Sequence, residues 1–341
     1  MRRKAPSVVF RTNASSSIGM GHLNRCISIA EEMVTRGWMV SFVVRRAKRE
    51  DPYGRLRSTV KHILELPAAM DKRKDLRSMT CLVSDTRPDL TIVDSYEVGE
   101  DYLKALQRAG SSTVFIDDLA KIRSGADLIL NYNVGFGPKD YSKVKDARLL
   151  LGLKYCPLGK LVLSQRARMS RPFSQPAVAK ELLVTLGASK HNRTFENILR
   201  TLGRLDWLKK VQVTSVRPSP RYDSRFSFKG YVKDLPALIQ KTPLAITAGG
   251  STCYQLACLG VPSLIYILAK NQQRIAEGLD ASGLGVNLGP ANPFNGEGLL
   301  ETLSDLAQDQ RMRERMAKTA FGAVDGLGAR RIVDVMERMI A

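Results

Sequence analysis

The stretch RTNASSSIGMGHLNRC, residues 11–26, holds the residues best placed to do chemistry. A strand-like run ends at Arg11, a loop of small residues follows, and Gly19 and Gly21 flank a turn into a helix that begins near His22. Glycine lets backbone approach a ligand closely, and the bare N–H groups of a helix start suit a phosphate or a developing negative charge. On the first helical turn, His22 is either a proton-transferring group or a capping or surface histidine, and the spacing leaves both open. Of the three histidines, neither His62 nor His191 has a comparable setting. A second stretch, ITAGGSTCYQLACLGVPSLIYILAKNQ (246–272), opens a buried strand pattern into Gly249-Gly250-Ser251-Thr252. A serine or threonine there is expected to cap the next helix, leaving backbone donors at the positive end of a dipole, where phosphate oxygens could sit. A tight strand-to-helix connection that binds nothing would use the same residues. A further glycine-bearing strand end, Leu186-Gly187-Ala188-Ser189, lies in the same half.

Such loops need strands to carry them. SVVFR (7–11), a helical pattern with Leu23, Ile27, Ala30 and Val34 on one face, and MVSFVV (39–44) form one βαβ unit. LTIVD (90–94), STVFID (112–117) and DLILN (127–131) are further apolar runs ending in polar residues. The pattern restarts with ELLVTLG (181–187), KVQVTS (210–215), PLAITAGG (243–250) and PSLIYI (262–267). Alternation of this kind predicts an α/β protein of two Rossmann-like domains, 1–165 and 181–341, with an interdomain cleft. The expected linker, 166–180, lies in a polar, basic, proline-containing stretch. ARRIVDVMERMIA (329–341) reads as a helix with a stripe of Ile332, Val335, Met336 and Met339, able to pack back on the first domain.

A length of 341 residues exceeds what one core usually serves. No apolar run reaches the roughly 18 residues of a membrane span, and the N-terminal apolar stretch is too short for a signal peptide, so a cytoplasmic protein is expected. Five scattered cysteines without a CxxC pair argue against a disulfide framework or zinc site. Lys plus Arg number 53 against 33 Asp plus Glu, a net +20. This excess favours anionic partners without choosing among nucleic acid, acidic membrane and phosphorylated ligands. The basic residues are spread and lack interleaved aromatics, so a solvated basic surface is expected and nucleic acid is not.

The string N-A-S-S-S-I-G-M-G-H-x-x-R-C, with V-D-S-Y (93–96), I-D-D-L-A (116–120), A-D-L-I-L-N (126–131) and A-G-G-S-T…L-G-V-P-S-L…K-N-Q (248–272), resembles the PseG family. Its members are UDP-2,4-diacetamido-2,4,6-trideoxy-β-L-altropyranose hydrolases of pseudaminic acid biosynthesis. The C-terminal block also resembles MurG-like GT-B glycosyltransferases. The resemblance implies a GT-B fold, a UDP-sugar and water as partners, and no cofactor or metal. It places the water or acceptor side in the first domain and UDP in the second. His22 then matches the family's catalytic histidine, Tyr96 its active-site tyrosine and Asn271 the asparagine of its K-N-Q segment. Asn13, Ser17, Gly19, Gly21, Arg25, Asp94 and Asp118 fall on the sugar side; Gly187, Ser189, Gly249, Gly250, Ser251, Thr252 and Gln255 fall on the nucleotide side.

By this resemblance, neutral His22 deprotonates a water aimed at the anomeric carbon, and helix amides stabilise the departing diphosphate. Departures from the family pattern are Asn13 for Asp, Lys190 closing Gly187-Ala188-Ser189-Lys190, Gly159-Lys160, and Gln255 for a ribose-gripping glutamate, which forfeits a charge-assisted, two-oxygen grip. They leave open a hydrolase with altered contacts, a relative using another nucleotide-sugar, and a transferase whose His22 activates an acceptor hydroxyl. A basic binding protein on the same scaffold is a further alternative. Asp117, Asp118 and Asp94 read equally as site groups or helix caps, and Lys270 as a phosphate partner or a solvated lysine.

Overall fold

The computed structural model describes residues 5–14, 19–46, 51–187, 192–214, 222–230, 232 and 234–341. The chain divides into two compact units, Met1–Gly159 with Leu327–Ala341, and Lys160–Gly326.

Among the described residues the first unit is built on seven parallel strands: β1 (Ser7–Thr12), β2 (Met39–Arg45), β3 (His62–Leu66), β4 (Leu90–Asp94), β5 (Ser112–Ile116), β6 (Leu128–Asn131) and β7 (Arg148–Leu151). Their order is β3-β2-β1-β4-β5-β6-β7. The inner strands are near-continuous apolar runs because helices cover both faces of the sheet. On one face the helix Gly21–Thr35 buries Leu23, Cys26, Ile27, Ile29, Ala30 and Met33. Val34, expected on that stripe, is instead 41% exposed. On the other, Met79 and Val83 of the helix Lys72–Thr86 and Tyr102, Leu103 and Leu106 of the helix Glu100–Arg108 pack on Val9, Val43 and Val93.

The last helix, Gly328–Ile340, belongs to this first unit, burying Ile332, Val333, Val335 and Met336. Arg36 ties it down through Asp334 at 2.7 Å and Glu337 at 2.8 Å. Gly328 sits so close to the Cys156 backbone that a β-carbon there would collide with its carbonyl oxygen.

Among the described residues the second unit has six parallel strands: β8 (Glu181–Thr185), β9 (Lys210–Val213), β10 (Phe226–Phe228), β11 (Ala245–Ala248), β12 (Ser263–Ile267) and β13 (Val286–Pro290), in the order β10-β9-β8-β11-β12-β13. Residues 166–180, expected as a linker, are grouped with this unit. Their anchor is Arg313, which is 0% exposed. Its guanidinium donates to the carbonyls of Leu306 and Ala307, both at 2.6 Å, and to those of Pro176 and Ala177.

Both sheets start in the middle and wind outward in two directions. The order reverses between β1 and β4 in the first and between β8 and β11 in the second. Strand ends at such a reversal diverge and leave a crevice at the carboxyl edge of the sheet. All five cysteines are free, and among the described residues no helix is long and apolar enough to cross a membrane.

Candidate functional site

In the first unit, the reversal point brings Thr12, the end of β1, into register with Asp94, the end of β4. The helix after β1 begins at Gly21, with Met20 at its N-cap and no side chain capping its first turn. Gly19 precedes it with φ +81°, a left-handed conformation suited to glycine. This turn places His22 over Asp94, and its Nδ1 makes a short hydrogen bond to Asp94 Oδ1.

The same Asp94 carboxylate takes a forked pair from Arg25, one turn further on, at 2.6 Å from both Nε and Nη2. Arg25 Nη2 also lies 3.1 Å from His22 Nδ1. A guanidinium only donates, and an unprotonated Nδ1 against an ionised carboxylate would set lone pair against lone pair. Nδ1 is therefore assigned the hydrogen and gives it to Asp94, which makes Nε2 the nitrogen able to accept a proton. Among the described residues Nε2 has no hydrogen-bond partner, and it is not one of the fully buried, unpartnered polar atoms. The residue as a whole is 6% exposed.

Asp118, after β5, completes the group. Its Oδ1 accepts from Arg25 Nη1 at 2.6 Å and Asn133 Nδ2 at 2.7 Å, and its Oδ2 from the Tyr96 hydroxyl at 2.9 Å. Tyr96 meets the His22 ring edge to face, with centroids 4.5 Å apart, and is itself 48% exposed. Burial opposes the ionised form of both Asp94 and Asp118, yet the Arg25 guanidinium outweighs it and holds both carboxyls below the usual range. Burial likewise works against the Arg25 charge, and Asp118 and Asp94 more than restore it. Asp117, alike in sequence, closes its own turn and caps no helix, since none lies between β5 and β6: it accepts from the amides of Leu119 and Ile122, and burial raises its carboxyl.

A second charged cluster went unread in the sequence. Arg11 points to the opposite face of the sheet, where Asp75 receives it through both Nε and Nη2, with Tyr102 donating to Asp75 at 2.8 Å. Arg45 joins Asp75 to Glu97, the residue after Tyr96, at 3.2 and 2.8 Å. Asn13, expected to face substrate, spends its Oδ1 on Arg11 Nη1 at 2.7 Å and the Arg45 amide at 3.1 Å. A charged residue inside the apolar run of β1 was the available signal.

In the second unit, Gly187 follows β8 with φ +82°, and Gly249 and Gly250 follow β11, so both turns flank the reversal. The helix Ser251–Cys258 is capped by Gly250, not by a serine or threonine side chain. The expected cap is corrected because the helix already starts at Ser251, which, with Thr252, is then part of its first turn. Their hydroxyls and the leading amides are left to other partners. Gly249 is closely packed: a β-carbon would lie 3.1 Å from Gln272 Cβ and from its carbonyl oxygen, tighter than an ordinary contact. The turn Lys270–Gln272, with Asn271 at its centre, therefore packs directly on the glycine turn. Gln255 is half-buried on the helix, and Lys270 is exposed. Ser17, Ser189, Lys190 and His191 lie outside the described residues.

No protein-family model matches the chain. It is 26% identical over 205 residues to a Helicobacter pylori protein named pseudaminic acid cytidylyltransferase and UDP-2,4-diacetamido-2,4,6-trideoxy-β-L-altropyranose hydrolase, covering 58% of this chain and 37% of that one. The curated relatives it matches are longer, and the chain spans 37% to 61% of their length. Among solved structures it resembles MurG of Acinetobacter baumannii, with TM-score 0.71, 13% identity and coverage of 98% and 100% of the two chains. It also resembles CalG4, the calicheamicin glycosyltransferase, with TM-score 0.66, 15% identity and 98% of each chain covered. The two parallel-sheet α/β units are those of the GT-B fold.

Proposed function

We propose that this chain cleaves a UDP-sugar with inversion, releasing UDP. The observation that carries the reading is the buried His22–Asp94 hydrogen bond at the reversal of the first sheet, which supports the tautomer with hydrogen on Nδ1 and Nε2 as the base. In the proposed reaction Nε2 takes a proton from water as its oxygen bonds to the anomeric carbon. The carbon–oxygen bond to the diphosphate breaks, and its electron pair leaves with UDP. Asp94 holds the ring and balances the imidazolium that forms, a role familiar from carboxylate–histidine pairs. In the second unit, the turn Gly249-Gly250 and the first helical amides at Ser251 and Thr252 are assigned to the diphosphate, with Gln255 on the ribose and Asn271 beside them. Donors aimed at a leaving oxyanion each contribute roughly 3–4 kcal/mol in comparable sites. The 2,4-diacetamido-trideoxyhexose named for the Helicobacter pylori relative is the proposed sugar.

A panel of UDP-sugars followed by proton NMR tests this, since the spectra report bond cleavage and anomeric configuration together. His22→Ala is expected to abolish UDP release while leaving UDP binding nearly unchanged, and retained turnover overturns the mechanism. The GT-B likeness to the calicheamicin glycosyltransferase supports a second reading, in which the same Nε2 deprotonates an acceptor hydroxyl. Release of UDP that depends on an added acceptor selects it.

A further inference from the structure

Arg25 reads in the sequence as a substrate contact, but the fold uses it up. Its guanidinium makes four hydrogen bonds inside the protein: two to Asp94, one to Asp118 and one, at 3.2 Å, to the Tyr132 hydroxyl. A remaining N–H points toward the protonated Nδ1 of His22 and gains nothing there. The two carboxylates it joins hold the two rings that meet edge to face. Asp94 holds His22, and Asp118 holds Tyr96. The result is a closed circuit, His22–Asp94–Arg25–Asp118–Tyr96, returning to His22 through the ring contact.

We propose that Arg25 is the positioning residue of this site: by forking between Asp94 and Asp118 it sets the tautomer of His22 and seats Tyr96 against it without touching substrate. This rests on the functional reading above only for what the basic nitrogen does. Without Arg25, two buried carboxylates would be left with no shared counter-charge, Asp118 held only by the neutral donors Asn133 and Tyr96, and Asp94 by His22 and the weak Cys26 thiol donor. Lysine would not substitute, because a single ammonium is a point charge and cannot offer Asp94 a fork and Asp118 a further donor from a fixed plane. The groups facing the imidazole are Asp94 from β4, Arg25 from its own helix and Tyr96 from the loop after β4; behind Asp94 stands the Cys26 thiol, and behind Arg25 stand Asp118 and Tyr132.

The test uses the full chain labelled with 15N-histidine, whose three histidines are resolved by long-range proton–nitrogen correlation, with His22→Gln identifying the signal. At neutral pH the unaltered protein should show one tautomer, hydrogen on Nδ1, and imidazole protons displaced by the ring current of Tyr96. In Arg25→Lys that displacement should fall by half or more, and both tautomers should appear. With a UDP-sugar that the protein cleaves, kcat should drop at least about tenfold at constant KM, as for loss of alignment and not of a binding contact. Imidazole signals like those of the unaltered protein, or a raised KM with kcat intact, overturn the proposal. Should Arg25→Lys fail to melt cooperatively, Tyr96→Phe decides, since it keeps the ring and removes only the hydroxyl held by Asp118. Its displacement should fall toward that of Tyr96→Ala, and an unchanged value overturns the proposal. Failure of the unaltered protein to cleave any UDP-sugar would count against the functional reading alone and leave the spectra to judge Arg25.

Discussion

Replacing Asp94 by asparagine changes one oxygen for an NH2 group of the same shape at the most connected point of the first unit. Asp94 is 1% exposed and accepts from His22, twice from Arg25 and from the Cys26 thiol at 3.4 Å. With the amide oxygen kept toward His22, the new NH2 faces Arg25 Nε at the 2.6 Å position of the lost acceptor, and two donors collide. Breaking one side of a buried ion pair costs about 3–5 kcal/mol, and the surviving Asp118–Arg25 pair argues for about 3. In a unit of roughly 170 residues, 1 kcal/mol moves the melting temperature by about 2–4 °C, so the expected loss is about 6–12 °C. The pH dependence has a definite sign. Arg25 and His22 hold the folded Asp94 carboxyl well below its usual range in spite of burial. Its stabilisation is therefore complete above the unfolded carboxyl value of about 3.9 and is lost as pH falls through the folded one. Calorimetry of both proteins between pH 5 and 3 should show the gap narrowing on acidification. A neutral-pH gap below about 2 °C, or one unchanged between pH 5 and 3, would refute the assignment of Asp94 as the ionised partner.

Two further perturbations probe the second unit. Gly249→Ala puts a methyl 3.1 Å from the Gln272 backbone and should push the Lys270–Gln272 turn off the glycine loop; UDP binding by calorimetry should weaken about tenfold, near 1.4 kcal/mol, and unaltered affinity would remove this loop from the nucleotide site. Arg313→Met strips the donors from the buried carbonyls of Leu306, Ala307, Pro176 and Ala177 and should cost about 3–5 kcal/mol in urea unfolding, several unsatisfied acceptors at about 1–3 each relieved in part by water; a loss under 1 kcal/mol would mean that residues 166–180 are held by something else.

What the sequence disclosed follows burial. Nine strands stood out as apolar runs because helices cover both sides of them. The four that did not, β3, β7, β10 and β13, are the edges of the two sheets, where one flank is unpaired and the residues mix, as the exposed and half-exposed positions of His62–Leu66 illustrate. The fate of 166–180 was hidden for a related reason: its anchor is an arginine well over a hundred positions away, and no local pattern announces a buried guanidinium serving carbonyls. At the site, glycine spacing pointed to both turns and to His22. Asp117 and Asp118 were indistinguishable, because only the end of β5 decides which carboxylate points back to the amides of its own turn and which reaches Arg25.

The same reasoning bears on Asn13, where the resembling family carries aspartate. Around it stand two guanidiniums, Arg11 and Arg45, and two carboxylates, Asp75 and Glu97. Their charges already cancel, and Asp75 is only weakly accessible to water. Burial opposes ionisation of Asp75, and it stays ionised because Arg11 overcomes that cost. A third carboxylate would need a cation that this cluster does not hold in reserve, whereas a neutral amide supplies the one oxygen that Arg11 Nη1 and the Arg45 amide require. The substitution thus fits the charge balance of the opposite sheet face and leaves His22, Asp94, Arg25 and Asp118 untouched. Gln255, neutral where the resemblance implies a glutamate, stands on the helix proposed for the ribose, so under that proposal a difference in specificity is expected in the nucleotide and not in the step proposed for His22.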